Sequence, residues 1–220
     1  MDQSSRAGEQ RPEKKLVIFD CDGVMFSSRE ANRVYYNHLL EQFGCPFMDE
    51  DEVSYVHCHN VNDSVTHIFR NYPQVDLTQV AVYRAGLDYS PFIRHMEMEP
   101  DLPEFLARIR PRFHTAISTN RTNTMDLILD TFDLAKWFDM VVTAENAPRP
   151  KPAPDGLCMI LDHFGLKPGQ AIYIGDSDVD REHCQSVGVE LIAFKNPQLD
   201  ANYHVNSFME ILSLPPLSGK

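Results

Sequence analysis

From Pro100 onward the chain alternates short apolar runs with amphipathic stretches, and this alternation constrains the fold more than any other feature. Residues 114–118, 140–143, 171–174 and 189–194 are apolar runs too short for helices. Residues 125–132, 155–164 and 179–187 between them carry helical spacing, the second stopping at Gly165. Strands separated by helices imply right-handed crossovers and a parallel sheet covered on both faces. An earlier run, residues 15–19 (Lys-Leu-Val-Ile-Phe), reads as one more buried strand, ending at Asp20. The expected fold class is α/β, built on a Rossmann-like parallel sheet.

The segment after the first strand reads differently. Past a turn at Gly23, Ser27 and Glu30 have the spacing of a capping box. The helix they would start carries Ala31, Val34, Tyr35 and Leu39 on one face and ends at Gly44 and Pro46. From there to Met98 the patterns are helical (65–69 and 77–87), with no clear buried strand, so residues 26–98 are expected to form an all-helical insert. It holds five arginines, ten carboxylates and no lysine. Asp49-Glu50-Asp51-Glu52 reads as a solvated loop. The expected division is a polar tail over 1–13, a core of 14–25 and 99–214, and the insert 26–98. Leu214-Pro215-Pro216 reads as a loose end.

Charge bounds the partners. Twenty basic against thirty-two acidic side chains leave −12, a poor match for a nucleic-acid backbone. No run approaches the roughly 20 consecutive apolar residues of a bilayer-spanning helix, and the first thirteen residues lack the apolar stretch of a secretory signal. The five cysteines (Cys21, Cys45, Cys58, Cys158, Cys184) are scattered, with no CxxC spacing, which suits a reducing compartment. A cytoplasmic protein that binds neither nucleic acid nor membrane is expected, with a monomer as the default.

In an open parallel sheet, ligands sit at the carboxyl ends of the strands, near the point where strand order reverses. The first strand delivers Asp20-Cys21-Asp22-Gly23-Val24 to that edge, and the second Ser118-Thr119-Asn120. The loop after the third carries Arg149-Pro150-Lys151-Pro152, and the fourth delivers Gly175-Asp176-Ser177-Asp178-Val179-Asp180. Taken singly, each has a plainer reading: a turn, a helix N-cap, a solvated lysine, a strand-end turn. In order, and each at a strand end, they favour a site. Asp20, Asp22 and Asp176 would crowd negative charge, which is costly unless a cation neutralises it. Oxygen-only ligands suit Mg²⁺. Thr119 and Lys151 offer a hydrogen-bond donor and a positive charge to an anionic oxygen, as a phosphoryl-transfer site requires.

These residues resemble the haloacid dehalogenase (HAD) superfamily over essentially the whole chain after the tail. Asp20-Cys21-Asp22-Gly23-Val24 resembles its first motif, DxDG(T/V), Thr119 the hydroxyl of its second, and Lys151 the lysine of its third. Gly175-Asp176 with Asp180 resembles the GDxxxD of its fourth. A helical insert between the first two motifs resembles the cap of the phosphoglycolate phosphatase and β-phosphoglucomutase branch. The resemblance implies that Asp20 is a nucleophile forming an aspartyl-phosphate, and that Asp22 is a general acid and base. It implies Mg²⁺ held by the Asp20 side chain, the Asp22 backbone carbonyl and Asp176, with Asp180 one shell out. Thr119, Asn120 and Lys151 would hold the phosphoryl group.

The expected activity is Mg²⁺-dependent hydrolysis of a small phosphorylated metabolite, phosphoglycolate-like substrates included. A phosphosugar mutase and a non-catalytic phosphate-binding regulator are the alternatives. Ser27 stands where many relatives have an aspartate. The lack of a cap lysine argues against both Schiff-base phosphonate hydrolysis and a β-phosphoglucomutase, and Asp22 argues against dehalogenation. The cap is expected to close over the site and to read the substrate, with His57, His59 and Asn60 as the candidate residues. A transition-metal site at His57, Cys58 and His59 is disfavoured, because adjacent ligands strain a tetrahedral arrangement.

Overall fold

The structure is a computed structural model that describes residues 12–59 and 61–218. Most of the 1–13 tail and Asn60 therefore lie outside the described residues. In chain order the elements are β1 (Leu16–Phe19), β2 (Phe26–Ser27), α1 (Arg29–Gln42), α2 (Glu50–Cys58), α3 (Val61–Ile68), α4 (Leu77–Ala85), α5 (Ser90–Ile93) and β3 (Glu97–Met98). There follow α6 (Leu102–Ile109), β4 (His114–Ser118), α7 (Met125–Thr131), β5 (Met140–Val142), α8 (Asp155–Phe164), β6 (Ala171–Gly175) and α9 (Asp178–Val187). The chain closes with β7 (Glu190–Phe194), β8 (Tyr203–Val205), α10 (Phe208–Ile211) and α11 (Pro215–Ser218).

The chain forms two compact units. Among the described residues, one holds those of Met1–Val24, Pro100–Asn123 and Ala135–Lys220; the other holds those of Met25–Glu99 and Thr124–Leu134. The first unit carries a six-stranded sheet in the order β5-β4-β1-β6-β7-β8, with every pairing parallel. β1 is central, and its four residues are all fully buried because both faces of the sheet are covered. Leu16 and Ile18 join Ala116, Leu157, Ile160, Leu191 and Ala193 on one face. Phe19 meets Phe138, Phe208 and Phe105 at centroid distances of 5.5, 6.0 and 6.1 Å. The strand order reverses across β1, so the carboxyl edge of β1, β4 and β6 is the switch point at which such sheets bind ligands.

The second unit packs α1 through its Tyr35, Tyr36, Leu39 and Leu40 face onto Val53, Val56, Val65, Ile68, Val80 and Phe92. Several details depart from expectation. Ser27 and Glu30 form no capping box: Ser27 lies in β2, and Ser28 is the N-cap, without a side-chain bond. The insert is not wholly helical, because β2 and β3 pair antiparallel near its two ends. Two-residue strands carry too little periodicity to read. Asp49–Glu52 is no loop: Asp49 caps α2 by accepting from the Glu52 N–H at 2.8 Å, and the acids fill the first turn, where the helix dipole favours them. The carboxyl terminus is no loose end either. Pro215 and Pro216 open α11, a place where proline's missing N–H costs nothing, and Leu217 is buried.

Candidate active site

The first unit delivers its functional side chains on loops that leave β1, β4, β5 and β6 at one edge. β1 places Asp20, 7% exposed, and its N–H is tied to the Ile174 carbonyl of β6 at 2.9 Å. Gly23 turns the chain at φ +77°, a left-handed conformation that favours glycine. A Cβ there would come within 2.1 Å of Asp176 Oδ2, so the Asp176 carboxylate packs directly over the glycine. α9 begins with a capping box in which Ser177 and Asp180 bond reciprocally.

Lys151 is the electrostatic centre of the edge. Its ammonium lies 2.8 Å from Asp20 Oδ1, 2.7 Å from Asp180 Oδ1 and 3.0 Å from the Tyr173 hydroxyl. Burial alone would lower this lysine, but Asp180 and Asp20 outweigh it and hold the ammonium above its ordinary value. The main chain of Lys151 is held as firmly: its N–H donates to Asn120 Oδ1 at 2.9 Å, and its carbonyl accepts from Asn120 Nδ2 at 3.1 Å. The Asn120 side chain thus anchors Lys151. Thr119 is buried beside it, its N–H bonded to the Val142 carbonyl. Its hydroxyl accepts from the Arg121 N–H at 3.2 Å, which leaves the hydroxyl hydrogen available for donation.

Asp180 is fully buried and its oxygens are committed. Oδ2 accepts from the Ser177 hydroxyl (2.8 Å) and from the N–H groups of Asp176 and Ser177, while Oδ1 faces Lys151 and Tyr173. Burial would raise this carboxyl; Lys151 and these donors outweigh it and keep it below the ordinary value. Asp20 and Asp176 are the opposite case. Burial, with Asp180 adding to it, pushes Asp20 up to about 8 despite Lys151, and pushes Asp176 up to about 7.

Oxygens of Asp20, Asp176 and Asp180 lie within 4.8 Å of one another. Because Asp180 is spent on Lys151, Tyr173 and Ser177, Asp20 and Asp176 are the carboxylates left to ligate a cation. Four carboxylates in this edge (Asp20, Asp22, Asp176, Asp180) face two cations, Lys151 and Arg121. The uncompensated charge is what one divalent ion neutralises, and an all-oxygen donor set fits a hard ion such as Mg²⁺.

Three residues of this site escaped the sequence reading. Arg121 binds both carboxylate oxygens of Asp22, Nη2 to Oδ1 at 2.6 Å and Nε to Oδ2 at 2.7 Å. The buried Tyr173 hydroxyl reaches the Ser118 carbonyl at 2.8 Å, alongside Lys151 and Asp180. His183, fully buried, ties the Ala153 carbonyl (Nδ1, 2.7 Å) to the Ser118 hydroxyl (Nε2, 3.1 Å). It thereby links the Lys151 loop to the end of β4. One signal for Tyr173 was available: a buried tyrosine hydroxyl in an otherwise aliphatic strand needs a partner.

The candidate specificity residues lie in the second unit. His57 lies in the last turn of α2 and is exposed. His59 caps α2, its Nδ1 2.8 Å from the Tyr55 carbonyl and its ring stacked on Tyr55 at 3.8 Å. His67 stacks on the opposite face of Tyr55 at 3.6 Å. Among the described residues, the cluster of Asp20, Asp176 and Asp180 is the one group of three or more ligand-type side chains close enough to share an ion. No helix among the described residues is long and apolar enough to cross a membrane.

Comparison with known proteins agrees with this geometry. The family model for haloacid dehalogenase-like hydrolases matches residues 17–194. A HAD-superfamily hydrolase of subfamily IA, variant 1, from Geobacter sulfurreducens superposes with a TM-score of 0.82 at 33% identity, over 91% of this chain and 98% of that one. A phosphoglycolate phosphatase from Aquifex aeolicus is 22% identical over 80% of this chain and 82% of its own length. A pyrophosphatase, PpaX, from Oceanobacillus iheyensis is 20% identical over 86% and 87%. With its strand-end acids, threonine and lysine gathered at one sheet edge, the chain belongs to the haloacid dehalogenase-like hydrolase family.

Proposed function

We propose that this protein is a Mg²⁺-dependent phosphatase that hydrolyses a small phosphorylated metabolite through an aspartyl-phosphate on Asp20. The observation that carries the reading is the Asp20–Lys151–Asp180 array, which holds one carboxylate buried beside a cation at the ligand-binding edge of the sheet. The relatives named as phosphatases act on phosphate esters and anhydrides, and support the same class of reaction.

In the first step an Asp20 oxygen attacks phosphorus, the bond to the leaving oxygen breaks, and Asp22 gives that oxygen a proton. In the second, water attacks the phosphorus and loses its proton to Asp22. The bond to Asp20 breaks and phosphate departs. Lys151 and the Thr119 hydroxyl bind the phosphoryl oxygens, and Asn120 holds Lys151 in place. Asp20, Asp176 and the Asp22 carbonyl would hold Mg²⁺, which supplies charge neutralisation between two anions. Asp180 serves as the anchor of Lys151 and of the Asp176 main chain.

Residues 26–98, with Thr124–Leu134 in the same compact unit, act as a cap domain for a core of 14–24, 100–123 and 135–214. His57, His59 and Asn60 are the candidate readers of the substrate beyond its phosphoryl group. Phosphoglycolate-like substrates are included, in a cytoplasmic enzyme. Phosphate release from a panel of phosphorylated metabolites, with Mg²⁺ and then with chelator, tests the proposal. Metal-dependent release favouring one compound is expected; a folded protein silent across the panel contradicts it.

A further inference from the structure

We propose that Arg121 is the positioning residue for Asp22, holding the proton-carrying carboxylate in one rotamer. The proposal rests on the reading of Asp22 as proton donor and acceptor given above. Its basis is geometric. The guanidinium approaches Asp22 side-on and engages both oxygens, at 2.6 and 2.7 Å, with the Arg121 side chain only 10% exposed against 36% for Asp22. Two parallel charge-assisted bonds fix a carboxylate plane as well as its position.

The main chain that carries the guanidinium is itself held in place. Arg121 donates its N–H to Thr119 Oγ1 at 3.2 Å, and its carbonyl accepts from the Ala144 N–H at 2.9 Å. The residue is therefore fastened to the strand end that presents the phosphate-binding hydroxyl. The clamp fixes the Asp22 carboxylate relative to Thr119, across 99 residues of chain. Free of it, Asp22 would sample the staggered χ1 wells, whereas proton transfer needs a heavy-atom approach of about 2.6–3.2 Å. A lysine, with one compact ammonium, would keep the charge but not the fork.

If Arg121 acts through Asp22, its loss should be felt only where a proton must be delivered. The test is single-turnover phosphoenzyme formation from 4-nitrophenyl phosphate and from unsubstituted phenyl phosphate. The two are close in shape but unequal in their need for a proton on the leaving oxygen. Arg121→Met is expected to slow phenyl phosphate about 10–100-fold and 4-nitrophenyl phosphate by less than about threefold. KM should be unchanged for both, and no further loss should appear in an Asp22→Asn background. Arg121→Lys, which keeps the charge and most of the stem, is expected to fall between wild type and Arg121→Met, and serves if the methionine variant does not fold.

Equal slowing of both substrates, a matched rise in KM, or losses that multiply with Asp22→Asn would overturn the proposal. Each would place Arg121 on the phosphoryl group or in the general packing instead. Undiminished turnover of phenyl phosphate by Asp22→Asn alone would instead overturn the reading of Asp22. Absence of phosphoenzyme in the wild type with either substrate would overturn the phosphatase reading itself.

Discussion

Replacing Lys151 by methionine removes the cation between two buried carboxylates while keeping a stem of similar length. In the native site Asp20 and Asp180 lie 2.8 and 2.7 Å from the ammonium, and the Lys151 and Asp180 side chains are 5% and 0% exposed. Asp20 can escape the loss by taking up a proton, since its carboxyl is already pushed up to about 8. Asp180 has no such ease, because the Ser177 hydroxyl and two backbone N–H groups are arranged to bond its charged form. Breaking a buried ion pair on one side costs about 3–5 kcal/mol. For a chain of this size that lowers the thermal midpoint by about 6–20 °C, at about 2–4 °C per kcal/mol. Urea and thermal unfolding in chelator at pH 8 provide the assay, with Asp180→Asn added to recover part of the loss. A cost below about 1 kcal/mol, or no recovery in the double variant, would refute the view that Lys151 compensates buried charge here.

Gly23→Ala places a Cβ 2.1 Å from Asp176 Oδ2 at φ +77°; it should lose most Mg²⁺-dependent turnover and cost about 1–2 kcal/mol from backbone strain alone, read by activity and thermal unfolding. Asp20 and Asp176, raised by burial to about 8 and about 7, make the metal-free protein bind protons more tightly than its unfolded chain does. Their contribution is fully present below the ordinary carboxylate value of 3.8 and is lost as pH rises toward 7–8. Mg²⁺ should therefore raise the thermal midpoint more at pH 8 than at pH 6, and an equal rise at both would contradict the assignment. His183 is lowered to about 4 by burial and by Lys151, so its contribution is present above its ordinary 6.5 and is lost as pH falls through about 4. Its imidazole should remain neutral at pH 5.5 by NMR; half-protonation near pH 6.5 would contradict that.

Much of the core could be read from the chain because both faces of the sheet are covered. Full burial turns residues 16–19 and 171–174 into unbroken apolar runs, and Gly165, at φ +63°, ends α8 where its spacing stops. Two short strands were missed for a physical reason: β2 and β3 have two residues each, a single repeat of the strand alternation. The acidic start of α2 was mistaken for a loop because the same acids that solvate a loop also favour a helix amino terminus. That Asp20, Thr119, Lys151 and Asp176 gather at one edge was legible from the order in which they follow the strands, and their roles from the family resemblance. Arg121, Tyr173 and His183 were not, since their partners lie at distances such as 99, 55 and 65 residues along the chain. Asn120 was expected to bind the phosphoryl group, whereas its side chain bonds the Lys151 main chain, a use that only the three-dimensional arrangement discloses.

The central claim is that Asp20 receives the phosphoryl group, and rapid quenching during turnover of a labelled phosphate ester tests it most directly. The account expects label on the peptide bearing Asp20 in the wild type, with neither label nor turnover in a folded Asp20→Asn variant. Sustained turnover by Asp20→Asn, or label on another residue, would contradict it.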